Sequence, residues 1–246
     1  MIQAINRFNA AAHNYAKADE VQCYVARQLG MLMPSLAVEP DKRYHVLELG
    51  AGPTANFTKQ LLAGANHRNV TLYVTDPAKE MLALNQLALQ GQPKNAFIYN
   101  VQLRSEQLDR LPYHFNRIGH TFVAHWLNNP VQEIERQRQK LTPDGWLFYA
   151  APTADNFAEW NEHLASRRLD TPRRDDLPSV WPGQFKTEEI ARDYGSAHGF
   201  LRMLTQTGAN TPKKGYRPPD RRSFAKACES FDGKVTWKIA YCALKC

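Results

Sequence analysis

The run YHVLELGAG, Tyr44 to Gly52, constrains this chain more than any other stretch. Tyr44 to Leu49 is mostly apolar and bounded by charge, as a strand buried on both faces of a parallel sheet reads. Gly50-Ala51-Gly52 breaks the strand, and Asn56 to Ala63 starts a helix. Strand, glycine turn and helix in that order build a ligand site. Glycine lets backbone approach closely, and a helix N-terminus offers N–H groups without partners inside the helix. Val70 to Asp76 reads as a second strand ending on a carboxylate, at a spacing that suits an acid binding the hydroxyls of a ribose. The third glycine of the dinucleotide fingerprint is missing, and Pro53-Thr54 follow instead. An ordinary βα turn without a ligand is the plain alternative for this stretch.

The remaining periodicity alternates between strand and helix. Ile2 to Leu32 has helical spacing throughout, with one apolar stripe at Ile5, Phe8, Ala12 and Tyr15 and another at Val21, Val25, Leu29 and Leu32. Pro77 to Gln90 predicts a helix, Ala96 to Val101 a third strand, and Phe115 to Asn128 a fourth strand with its turn. Pro130 to Leu141 is helical, Thr142-Pro143-Asp144-Gly145 is a turn, and Trp146 to Ala151 is a fifth strand. Thr153 to Arg168 is helical again. Thr171 to Lys186, with three prolines, is an irregular connection. Thr187-Glu188-Glu189 has the look of a capping box and predicts a helix start; Gly199 to Thr207 is a further helix. The final run, Lys234 to Leu244, alternates as a strand.

No apolar run is long enough to span a membrane, and the first residues lack a basic region followed by an apolar core. The cytoplasm and a monomer are the expected setting. Cys23, Cys228, Cys242 and Cys246 have no metal-ligand spacing, so reduced thiols and no metal are expected. The 31 basic residues against 24 acidic ones give a net charge of +7, which favours an acidic partner. Between Arg202 and Lys226 seven cations (Arg202, Lys213, Lys214, Arg217, Arg221, Arg222 and Lys226) face one acid, Asp220. They form either a docking face or a solvated charged surface.

Glu48, two residues before the first glycine, gives the turn an E-x-G-x-G form that resembles motif I of class I S-adenosylmethionine (AdoMet) methyltransferases. Glu80-Met81-Leu82 is similar to the "E-M-L" segment of these enzymes. Phe8, Ala11, Ala12, Tyr15, Val21 and Gln22 fall where the malonyl-carrier-protein O-methyltransferases of biotin synthesis (BioC) have F-x-x-A-A-x-x-Y-x-x-x-A-x-L/V-Q. Phe115 and Trp126 match that family's fourth-strand block, and L-T-P-D-G-W-L-F-Y resembles its "L-K-P-G-G-x-L-x-F". The chain is identified on these residues as a divergent member. Ala10, Ala16, Asn116, His120, Thr121 and His125 depart from the pattern, and the acid usual at the end of strand three is absent.

The resemblance implies a single domain with a doubly wound, Rossmann-like α/β sheet of about seven strands, the last antiparallel. Residues 1–36 and 153–226 would supply a helical lid, 44–152 the AdoMet-binding core and 234–244 the last strand. It implies AdoMet as cofactor, with Glu48, Gly50, Ala51 and Gly52 against its methionine part and Asp76 on its ribose. Pro77, Met81, Asn100, Val101 and Thr121 are the further expected contacts. The implied reaction methylates the free carboxylate of a malonyl thioester on acyl carrier protein. Such a carboxylate is already ionised at neutral pH and needs no general base. Tyr15, Trp126 and His125 are the expected catalytic residues, as walls and partner of the reacting group. His120 and several arginines are open alternatives for the cation that meets the carboxylate. The basic cluster, with Arg202, Lys213, Lys214, Arg217, Arg221 and Arg222, would dock the acidic carrier. Two other classes stand beside this one: a non-catalytic binding protein on the same fold, and a methyltransferase acting on RNA or a small molecule. The absence of an N/D-P-P-Y/F motif argues against nucleic acid.

Overall fold

A computed structural model describes residues 2–36, 39, 41–64, 69–91, 96–172, 177–211 and 215–246. Its strands are β1 (Tyr44–Glu48), β2 (Val70–Asp76), β3 (Phe97–Gln102), β4 (Phe115–Thr121), β5 (Leu141–Pro152), β6 (Gln184–Asp193) and β7 (Lys234–Lys245). They form one seven-stranded sheet in the order β3-β2-β1-β4-β5-β7-β6. β1 to β5 are mutually parallel, and β7 runs antiparallel between β5 and β6. The doubly wound sheet with its last strand antiparallel is the architecture the resemblance implies.

Parallel neighbours need long crossovers. These are built on α3 (Asn56–Gly64), α4 (Lys79–Ala88) and α5 (Pro130–Arg138). Successive residues of β1 point to opposite faces. Val46 belongs to a core with Val25 and Leu29 of α2 (Glu20–Leu32) and Leu61 of α3. Leu47 belongs to the opposite core, with Ile118, Leu147, Ile134 of α5 and the fully buried Trp181. Four further helices, α1 (Ile2–Tyr15), α6 (Ala158–Ser166), α7 (Ala197–Gln206) and α8 (Arg221–Glu229), complete the described chain. The long N-terminal helical segment is therefore two helices, parted at residues 16–19.

Thr187-Glu188-Glu189 does not start a helix. It lies in the middle of β6, which pairs with β7 from Gln184 to Asp193. A threonine followed by two acids looks like a cap, but here the residues alternate across an edge strand, with Glu189 toward water and Glu188 toward the protein. Glu188 is held in place by the hydroxyls of Tyr24 (2.7 Å) and Tyr241 (2.8 Å), which both donate to its carboxylate. The Thr142–Gly145 turn also differs in setting: β5 takes it in as an irregularity, with Phe115 opposite Leu141 and Arg117 opposite Trp146. Asp144 has the positive φ, at 65°.

Candidate active site

A cavity of about 410 Å³ lies at the C-terminal ends of the parallel strands, bordered by Gly50 and Gly52 after β1, Asp76 at the end of β2, Leu103–Ser105 after β3 and Thr121–Val123 after β4. Open α/β sheets bind ligands at this end. α1 contributes Ile5, Phe8 and Tyr15, and α6 to α8 contribute Trp160, Leu164, Phe200, Leu204 and Phe224. The helices thus supply aromatic and aliphatic surface, while the strand tips bring in the polar groups of Asp76, Arg104, Ser105 and Thr121.

The floor starts with the glycine turn. Gly50 has φ +60°, and a Cβ there would stand 2.4 Å from Val123 Cγ2, so only glycine fits. Gly52 has φ +62° and donates its N–H to Asp76 Oδ2 at 3.0 Å; Ala78 donates to Oδ1 at 2.8 Å. Each carboxylate oxygen keeps capacity for a further donor. Burial raises the Asp76 carboxyl to about 6, against the two backbone bonds that lower it. Beneath the turn sits Glu48, 1% exposed, with Oε2 unpartnered. Burial raises it to about 8; a Thr58 hydrogen bond opposes the shift and the nearby Asp76 adds to it.

Two contacts that sequence reasoning missed hold this turn. Asn85 of α4, fully buried, donates Nδ2 to the carbonyls of Gly52 (2.9 Å) and Ala51 (3.3 Å). Asp19, between α1 and α2, accepts from Thr54 Oγ1 and Asn56 Nδ2, each at 2.8 Å. The Pro53-Thr54 segment that replaces the usual glycine pattern therefore ties the N-terminal helices to the turn. No short-range signal marks either contact, since the partners lie more than 30 residues apart.

At the β4 end the cavity gathers Thr121, His125 and Trp126 with Tyr15 of α1, which is far from them in sequence. Trp126 meets Phe8 edge-to-face at 5.2 Å and His125 at 4.7 Å. Burial, then the charges of Asp19 and Asp76, push the Tyr15 phenol well above its ordinary range, so it stays protonated. Phe122 takes a left-handed φ of 56° and packs against Trp237 at 5.8 Å. Non-glycine residues at such φ carry strain and cluster at functional sites. Trp160 of α6, Phe200 of α7 and Trp237 of β7 also line the cavity, and no sequence motif marks them. His120 is a correction: it is fully buried within β4, outside the cavity lining, and burial lowers its imidazole to about 4. It is neutral at physiological pH and cannot meet a substrate carboxylate as a cation.

Gly50, Gly52, Asp76, Pro77, Met81 and Thr121 all border the cavity; Glu48 and Ala51 lie behind it. Asn100 and Val101 stand within β3, opposite Val74 and Thr75, and do not border it. Among the described lining residues only Arg104 and His125 can carry a positive charge. Arg202, Arg217, Arg221, Arg222 and Lys226 are exposed and away from the cavity lining, while Lys213 and Lys214 lie outside the described residues.

No family model matches the chain. It is 27% identical over 244 residues to the "Biotin biosynthesis bifunctional protein BioCD" of Bordetella avium, covering 96% of this chain and 50% of that protein. The chain thus spans half the length of that bifunctional relative. It is 26% identical to the "Malonyl-[acyl-carrier protein] O-methyltransferase" of Magnetococcus marinus, over 94% of this chain and 87% of the relative. A protein of the same description from Halalkalibacterium halodurans is 23% identical over 94% and 90% of the two chains. Among solved structures, a methyltransferase candidate from Bacillus halodurans superposes with a TM-score of 0.55 at 11% identity, over 89% of this chain and 97% of that one. The YcgJ protein of Bacillus subtilis gives 0.51 at 15% identity, over 89% and 95%. The fold is that of the class I methyltransferases. By sequence the chain is a divergent homologue of AdoMet-dependent O-methyltransferases.

Proposed function

We propose that this divergent relative of the malonyl-[acyl-carrier protein] O-methyltransferases transfers the methyl group of AdoMet to the free carboxylate of a malonyl thioester on acyl carrier protein, in the synthesis of the biotin precursor. The observation that carries the reading is one cavity that joins the Gly50–Gly52 turn and Asp76 to the Tyr15–His125–Trp126 wall under an apolar roof.

The residues present fit AdoMet. Asp76 retains acceptor capacity for the two ribose hydroxyls, and the buried Glu48 behind the turn keeps an unpartnered oxygen, Oε2, as a further acceptor. Bound AdoMet would supply an electrophilic methyl group on a sulfonium centre. What remains for the chain is alignment and exclusion of water. Trp126 and Phe8 form a rigid edge-to-face wall, and Phe122 and Trp237 a second. Orienting two reactants in this way supplies several kcal/mol. Tyr15, held protonated, would act as a hydrogen-bond donor rather than remove a proton. His125, beside Trp126 at the β4 end, would receive the acceptor carboxylate; its position in the cavity lining supports that reading. The exposed basic surface at the start of α8, Arg221 and Arg222, would steer the acidic carrier.

The test is complementation. The gene should restore biotin-independent growth to a strain that lacks the malonyl-carrier-protein methyltransferase. Lack of growth from a folded, expressed protein that binds S-adenosylhomocysteine (AdoHcy) would overturn the substrate assignment.

A further inference from the structure

Behind the floor of the cavity runs a buried chain of three polar side chains from separate elements. Ser105, the first residue of the 3-10 turn Ser105–Arg110, borders the cavity and is 8% exposed. Gln137 of α5, 1% exposed, donates Nε2 to Ser105 Oγ at 3.0 Å. Its Oε1 stands 3.0 Å from Nε2 of His120, which has no exposure at all. The other ring nitrogen, His120 Nδ1, is buried without a partner.

That orphan nitrogen sets the direction of the whole chain. A buried N–H without an acceptor is costlier and rarer than a bare lone pair, so the single proton of the neutral imidazole sits on Nε2. His120 then donates to Gln137 Oε1, which fixes the amide orientation. Gln137 in turn donates to Ser105 Oγ. The serine oxygen is now an acceptor from below, and its own hydrogen, with no acceptor among the described residues, is left for the cavity. Burial keeps the imidazole neutral, so this direction holds throughout the neutral range.

We propose that Ser105 is a hydrogen-bond donor to a ring nitrogen of the cofactor's base, with Gln137 and His120 as positioning residues that hold it in that role. The inference rests on AdoMet as cofactor. The strand tips border the cavity in the order β3, β2, β1, β4. A ligand with its amino-acid part at the glycine turn after β1 and its ribose at Asp76 after β2 places its base one strand further on, at Ser105 after β3. Leu103 and Met81, both buried, also border the cavity and offer apolar surface to a planar ring. Adenine carries lone-pair nitrogens at N1, N3 and N7, each an acceptor for such a hydroxyl.

Calorimetric binding of AdoHcy and its 1-deaza, 3-deaza and 7-deaza analogues to the wild type, Ser105→Ala, Ser105→Thr and Gln137→Met tests this. One analogue should bind the wild type about three- to tenfold more weakly than AdoHcy, the worth of one neutral hydrogen bond. Ser105→Ala should lose the same factor for AdoHcy and nothing further for that analogue. Ser105→Thr should restore the difference, and Gln137→Met should shrink it. Circular dichroism confirms that each variant is folded, and ¹⁵N spectra of the wild type should show His120 protonated on Nε2. Unchanged AdoHcy affinity in Ser105→Ala, equal sensitivity of wild type and variant to every analogue, or a proton on Nδ1 would overturn the proposal and leave the cofactor assignment standing. Failure of the wild type to bind AdoHcy at all would overturn both.

Discussion

Replacing Glu48 by glutamine removes a carboxyl that is buried, partly unpartnered and held protonated by its surroundings. Its ordinary value of 4.5 is raised to about 8 in the folded chain, mainly by burial. Below about pH 4 the group carries its proton in both folded and unfolded states, and titration adds nothing to the difference between variants. As pH climbs from 4.5 toward 8, only the unfolded chain releases the proton, so folding loses stability; beyond 8 the loss levels off. Each pK unit corresponds to about 1.4 kcal/mol, so the wild type should lose roughly 3–4 kcal/mol through Glu48 between pH 5 and pH 8. Asp76, raised to about 6 by burial, adds a slope of the same sign in both proteins. Urea unfolding followed by tryptophan fluorescence at pH 5, 6.5 and 8 gives both profiles. Glu48→Gln should be the more stable protein at pH 8 and much closer to wild type at pH 5. Parallel profiles would refute the assignment of a buried, protonated Glu48.

Three further outcomes follow from the same geometry. Asp76→Ala should weaken AdoHcy binding by about 1.5–3 kcal/mol, since it removes a charged acceptor; calorimetry on the folded variant with unchanged affinity would contradict the ribose assignment. Arg117 is 3% exposed, with Nε and Nη1 unpartnered and only Nη2 bonded, to the Pro34 carbonyl. Burial lowers its guanidinium to about 10, so Arg117→Leu should stabilise the fold by about 1–2 kcal/mol and raise Tm by a few degrees. A lower Tm would show that its contact over the Phe148 ring, at 5.5 Å, outweighs the desolvation. Reversing Arg221 and Arg222 to glutamate places acids at the first turn of α8, where they suit the helix dipole, so the fold should hold. Turnover of the carrier-linked substrate should fall at low salt and recover as salt screens the charges, while a small malonyl thioester is unaffected; equal loss for both would dismiss a docking role.

Local pattern was enough for β1, its glycine turn, α3 and Asp76, because strand, breaker and acid lie within one βαβ unit. The alternation of β7 was legible because a period of two shows within a single strand. β6 was not, since a threonine followed by two glutamates satisfies helix-cap chemistry as well as an edge strand, and only pairing with β7 decides between them. The sequence places cofactor contacts at Asn100 and Val101, but β3 runs on to Gln102 and the cavity is reached only at Leu103–Ser105. Tertiary partners account for the rest. Asp19 latching Thr54 and Asn56, Asn85 under the glycine turn and the His120–Gln137–Ser105 chain all join elements distant in sequence. Burial decides the fate of His120, and no spacing rule reports burial for a histidine in a strand.

Methyl transfer from labelled AdoMet to malonyl-acyl carrier protein, with acetyl-carrier protein as the control that lacks a free carboxylate, tests the central claim most directly. The account predicts a base-labile methyl ester on the malonyl-linked carrier, formed in equal amount with AdoHcy, and none on the acetyl-linked one. AdoHcy binding without any methyl ester on the malonyl-linked carrier, or label on both carriers alike, would contradict it.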